Sequence, residues 1–377
     1  MPASHKNRVI AIVTLLVAIF GLCPSFAAPG DQMTLRFLIW EGYAPYLQQQ
    51  AFKQKIIEKY GIDLKFDVHH ASNPDSFFNE LRKGAVDIIS PAHNLPKDSR
   101  YNFTTNGLTL PINLENVPNY HTITPALQKQ PWAVENEKIY AVPIIQGPYG
   151  LAYNTAIVTE EPVSWNVFWD ERYAGQYVVQ KDYYELNVYI AALALGFGPE
   201  EIFHYDVIKG PALENKIRQL AVHAHSLWTG FDQPIHFKGR ALATTWRATF
   251  PELNRLGESW RIAVPEEGTT WWVDTLMLSH TLKSDHLLKQ IAEEWINFIL
   301  EPEVQTDVLA MKLGVYPVTT PALNLFDKKM TDHDFVNQDR LLKNHIPWQL
   351  LNTRDRNAFS LLWKEALDAR ATVKSIK

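Results

Sequence analysis

Between Thr34 and Ser90 the chain alternates strand and helix signals without a break, and no other feature constrains the fold as much. Thr34–Trp40 is an apolar, β-prone run that predicts a first strand. Pro45–Tyr60 has helical spacing and stops at Gly61. Asp63–Val68 alternates and predicts a second strand, and Pro74–Lys83 a helix with Gly84 as its stop. Val86–Ser90 predicts a buried strand ended by Pro91. Strand–helix–strand–helix–strand implies an α/β architecture with a mainly parallel sheet covered by helices.

A chain of 377 residues has room for about two domains, and the later sequence repeats the alternation. Ile139–Pro143 and Gly150–Tyr153 predict strands flanking Gly147-Pro148, a crossover into a second lobe. Gln176–Gln180, Ala241–Trp246, Arg261–Pro265 and Trp272–Leu278 predict strands. Asp182–Leu195, Leu213–His223, Asp285–Leu300 and Asn357–Lys374 predict helices. Ligands of open α/β sheets bind beyond the carboxyl ends of the strands, so a cleft between two such lobes is the expected site.

The first 27 residues read as a secretory signal peptide. His5, Lys6 and Arg8 precede an apolar run from Val9 to Leu22, and Ser25-Phe26-Ala27 puts small residues where a cut after Ala27 needs them. An uncleaved anchor is the alternative, although the run is short for a span of about 20 residues. The single cysteine, Cys23, follows Leu22, where lipid attachment wants a small residue. The mature chain would then be exported and cysteine-free, without a disulfide, a cysteine-ligated metal or a thiol nucleophile. Net charge is −5, and losing Lys6 and Arg8 makes it more acidic, which argues against nucleic acid as a partner.

Aromatic residues make up 12% of the chain, more ring surface than cores usually need. Trp272 and Asp274 share one face of a predicted strand, and a ring beside a carboxylate suits an ammonium group. A core tryptophan with an edge aspartate would give the same pattern. Asp182 and Glu185, three apart at a helix start, would lie on one face as a cation site or form a cap. Trp40-Glu41-Gly42-Tyr43 follows the first strand, with both rings at its carboxyl end. His69-His70 and His223-Ala224-His225 lack a third ligand, so no metal is expected. No phosphate loop, dinucleotide fingerprint or nucleophile elbow is present.

These residues, in this order, resemble the periplasmic spermidine/putrescine-binding proteins, a family of extracellular solute-binding proteins that feed ABC importers. The resemblance runs from about Leu35 to Leu367. It is carried by LRFLIWEGYAP, GAVDIISPAHN, PVSWNVFWDERYAGQYVV, EEGTTWWVDTLML, INFILEPEV, GVYPV and PWQ. It implies the two-lobed periplasmic-binding-protein fold, each lobe a central sheet flanked by helices, with the ligand in the interlobe cleft. One lobe would comprise 28–145 and 276–315, the other 146–275 and 316–377. By the same resemblance Trp40 and Tyr43 match cleft aromatics, Asp182 and Glu185 an acidic pair, and Trp246 a strand-end tryptophan. Trp272 and Asp274 match the pair that holds an amine, Tyr316 a hinge-proximal tyrosine and Gln349 a terminal site glutamine. Where the family offers a serine and a tyrosine, this chain has Ala92 and Asn94 with His93 between, and Glu41 adds an acid. The expected function is a monomeric periplasmic carrier for a polyamine or related organic cation. It would deliver to a membrane permease, without a cofactor and without catalysis. A sensor that signals to a membrane partner would use the same cleft, and a hydrolase would need a nucleophile or metal set that no motif supplies.

Overall fold

The computed structural model describes residues 32–247, 249–329 and 343–376; the expected signal peptide lies outside them. Strand β1 (Gln32–Ile39) pairs in parallel with β2 (Asp63–His70) and with the short β3 (Ile88–Ile89). Helix α1 (Tyr46–Tyr60) joins β1 to β2, and α2 (Pro74–Lys83) joins β2 to β3. Both ends of α2 follow from its residues. The Asn73 side chain accepts from the Ser76 N–H at 3.1 Å, Pro74 opens the first turn, and Gly84 closes it at φ 66°.

The sheet continues in a different sense. Strand β11 (Thr269–Ser279) runs antiparallel to β3, to β4 (Thr109–Leu110) and to β5 (Val142–Pro148), and parallel to β12 (His345–Pro347). The sheet is therefore mixed, not mainly parallel: β1, β2 and β3 run in parallel, as do β11 and β12, and the antiparallel pairs are those of β11 with β3, β4 and β5. All eleven residues of β11 are buried. With both faces covered, its burial shows no alternation, and nothing in TTWWVDTLMLS marks which distant segments it pairs with.

The second sheet has the order β8 (Ser226–Trp228), β7 (Tyr177–Gln180), β9 (Leu242–Thr245), β6 (Gly150–Asn154), β10 (Trp260–Ala263). Helices α3 (Tyr184–Leu193), α4 (Pro211–His223) and α6 (Thr353–Ile376) pack together beside it. The chain passes between the sheets at Tyr149, between Ala263 and Thr269, and between Pro347 and Thr353. The lobe limits expected from sequence shift accordingly. Thr269–Thr275, Gln146–Pro148 and His345–Pro347 belong to the first sheet, because their backbone hydrogen bonds are made there.

Much of the aromatic content is core. Trp295 of α5 (His286–Ile299) meets Phe37, Phe52 and Phe66 with ring centroids 5.2–5.6 Å apart, fastening this helix to the first sheet. Trp165, Trp260 and Trp363 are buried away from the cleft. Among the described residues no helix is long and apolar enough to cross a membrane.

Candidate functional site

Between the sheets lies a cavity of about 670 Å³, within the usual range for small-molecule sites. Its walls come from the ends of β1 and β2, the loop after β3, the start of α3, the loops after β8 and β9, and strand β11.

Strand β11 supplies two buried groups, Trp272 and Asp274. Alternation along it aims Trp272 and Asp274 into the cavity. The Trp272 indole donates to the Pro148 carbonyl at 3.2 Å and lies over Gly147. A Cβ on Gly147 would stand 2.8 Å from the indole Cζ2, so only glycine lets the ring lie this close. Gly147→Ala is expected to cost about 1–3 kcal/mol of stability, the usual price of overpacking. Urea unfolding checks this, and an unchanged midpoint would contradict the contact.

Asp274 as a residue is 7% exposed. One of its oxygens accepts a hydrogen bond from the Tyr43 hydroxyl. Burial pushes its pKa up to about 7, against the lowering effect of the Tyr43 bond. Tyr43 reaches this position because Gly42, at φ 89°, turns the chain after Trp40. Trp40 lines the same wall, its backbone N–H on the Ser90 hydroxyl at 2.9 Å and its ring edge-on to Phe77 at 5.1 Å.

Opposite stands the start of α3. Sequence spacing suggested a shared helical face or a cap for Asp182 and Glu185; neither forms. The helix begins at Tyr184 with Tyr183 as N-cap, so Asp182 lies before it and accepts from the Gly230 N–H at 3.0 Å. Glu185 is in the first turn, half-buried, its pKa pushed up to about 7 chiefly by desolvation. Both carboxylates still line the cavity. Trp246 closes this side, tilted against Tyr149 and edge-on to Tyr183 and Trp348 with centroids 5.0–6.1 Å away.

The cavity thus gathers Trp40, Glu41, Tyr43, Asn94, Asp182, Glu185, Trp246, Trp272 and Asp274. It does not gather Tyr316 or Gln349. Tyr316 is fully buried behind the wall, its backbone paired with Gln146 and its hydroxyl near Arg247 Nη1 at 3.4 Å. Gln349 points outward and donates to Glu200 at 2.5 Å. The cause is parity. In extended chain neighbouring side chains face opposite ways, so Val315 and Trp348 line the cavity while the residues after them do not.

Sequence reasoning missed several lining residues: Asp75, Arg100, Tyr101, Tyr183, His236 and Trp348. Most sit in loops, where no periodicity marks them. Tyr101 donates to Asp75 from 26 positions away and lies under the Arg100 guanidinium at 4.6 Å. Arg100 is itself held by Asp98 at 2.8 and 3.1 Å, which neutralises its charge. Five carboxylates in the wall, two of them poorly solvated, and a set of indole and phenol rings make a surface suited to a positive, partly aliphatic ligand.

Comparison with known proteins places this geometry. The family model for bacterial extracellular solute-binding proteins matches residues 84–344. The spermidine/putrescine-binding periplasmic protein 1 of Haemophilus influenzae is 21% identical over 333 residues, 86% of this chain and 85% of that protein. A chain assigned to a spermidine/putrescine ABC transporter of Listeria monocytogenes superposes with TM-score 0.71 at 18% identity, covering 88% of this chain and 98% of that one. PotD of Streptococcus pneumoniae, solved with calcium and HEPES, gives TM-score 0.70 at 18% identity over 89% and 99% of the two chains. These superpositions share the two-lobed α/β fold described above. With the family model matched over more than half its length, the chain belongs to the bacterial extracellular solute-binding proteins.

Proposed function

We propose that this protein captures a polyamine of the putrescine or spermidine kind, or a closely related organic cation, and hands it to the membrane permease of an ABC importer. The observation that carries the reading is Asp274. Its carboxylate is buried beside the Trp272 indole, bonded to Tyr43 on one oxygen, and held near neutrality by desolvation. An ammonium group arriving there would supply the missing positive charge, and the ring would cover its methylenes. Glu185 and Asp182 across the cavity would take a second ammonium, with Trp40 and Trp246 along the chain between. The named relative from Haemophilus influenzae supports the same ligand class.

The carrier would act as a monomer in the periplasm after cleavage behind Ala27, without a cofactor and without making or breaking a bond in its ligand. Closing the lobes over the cation would strip water from each charge pair and strengthen it.

Calorimetric titration of the mature protein with putrescine, spermidine and spermine tests the ligand. Binding of at least one in the micromolar range or tighter is expected. Silence with all three, from protein that unfolds cooperatively, would refute the polyamine reading. Polyamine uptake by a strain lacking the gene separates transport from sensing: a carrier's loss slows uptake, a sensor's does not.

A further inference from the structure

We propose that His93 is a positioning residue of the cleft, fixing Trp348 as an aromatic wall beside Trp272 and Asp274. The inference rests on the proposed ligand site and adds two residues to it. His93 is 4% exposed and grips two separate parts of the wall. Its backbone N–H donates to the Val273 carbonyl at 2.8 Å, and its ring Nδ1 accepts from the Val273 N–H at 3.2 Å. The other ring nitrogen, Nε2, lies 2.8 Å from the Trp348 carbonyl.

These contacts fix the tautomer. A backbone N–H can only donate, so Nδ1 must be the bare nitrogen. The ring proton is then on Nε2, where it meets an oxygen that can only accept. Burial lowers the ring's pKa to about 4, so the neutral form persists through the physiological range.

What the ring holds gives it its role. Val273 stands between Trp272 and Asp274, so gripping its backbone on both polar groups sets the depth of both neighbours in the cavity. The Trp348 backbone is caught from two sides, its carbonyl by His93 and its N–H by the Trp271 carbonyl at 3.0 Å. With its backbone held at both polar groups, the indole stands in the cavity wall, 6.1 Å from Trp246. Trp132 packs edge-on against the imidazole at 5.6 Å and completes its socket. Leucine at position 93 would fill the space but leave the Val273 N–H and the Trp348 carbonyl without partners. Glutamine can accept with its oxygen and donate with its nitrogen at similar spacing.

A double-mutant cycle tests this, with 1,4-diaminobutane as the titrant and unfolding measured in parallel. His93→Leu and Trp348→Ala are each expected to weaken binding about tenfold, and the double variant little more than either, because both remove one wall. His93→Gln is expected to stay within about threefold of the parent, and it serves if the leucine variant does not fold. A second readout needs no ligand. The Trp348 emission, isolated by subtracting Trp348→Phe in each background, is expected to shift to the red in His93→Leu as the indole loosens. Multiplying rather than saturating affinity losses, or an unmoved Trp348 emission, would overturn the assignment. If 1,4-diaminobutane binds no version of the protein, the polyamine reading falls while the emission difference still decides the role of His93.

Discussion

Asp274→Asn is expected to weaken putrescine binding at least about thirtyfold while leaving the fold intact. The substitution keeps size and the hydrogen bond from Tyr43, since an amide oxygen still accepts. It removes only the charge. In water that charge would matter little, but in a residue 7% exposed it is screened weakly. Losing one partner of a desolvated, hydrogen-bonded charge pair typically costs about 2–5 kcal/mol, or 30- to several thousand-fold. The sign for stability is the opposite. A buried carboxylate without a cation is a burden on the empty protein, so the asparagine form is expected to melt no lower than the parent, and higher near pH 8. Titration calorimetry and thermal unfolding on the same samples check both halves. Unchanged affinity would move the ammonium site away from Asp274.

The second large effect is a pH dependence, and its direction follows from two groups. Asp274 and Glu185 both titrate near 7 in the empty cleft because burial penalises their charged forms. A bound ammonium requires them ionised. Lowering the pH through 7 protonates them first, so binding must then displace protons, and affinity falls. Between pH 8 and pH 6 the product of the two ionised fractions drops about a hundredfold, and affinity for a diamine that uses both should follow it. Glu185→Gln is expected to halve that slope on a logarithmic scale. The empty protein responds in reverse: these raised carboxyl pKa values stabilise it fully below about pH 4, and the contribution is lost as pH rises through 7. Titrations at pH 6, 7 and 8 decide the matter; a flat profile would mean that neither acid meets the ligand.

Much of this architecture is legible in local pattern. The run from Thr34 to Ser90 predicts the order β1, α1, β2, α2, β3, because each element carries its own period and stop. Trp272 and Asp274 are legible as a same-face pair for the same reason. What is not legible depends on partners distant in sequence. An antiparallel pairing of the first sheet joins β11 to β5 across more than a hundred residues. The start of α3 depends on where Asp182 finds its donor, and that donor is Gly230. Resemblance pointed to Tyr316 and Gln349, yet parity in extended chain turns Val315 and Trp348 inward instead. Asp75 opens α2 and Tyr101 lies in a loop 26 positions later, and only the folded chain brings them together.

The path of the chain also sets the order in which the protein can be completed. Helix α6 covers α3 and α4, yet its 24 residues are the last described, reached only after β12 has joined the first sheet. The first sheet in turn waits for β11, more than a hundred residues after β5. Neither half can therefore finish while the ribosome is still at work on the middle of the chain. Contacts this distant make for slow closure. If the chain is exported unfolded, as the proposed leader implies, that delay is an asset, because the last piece of each lobe arrives too late to lock it on the wrong side.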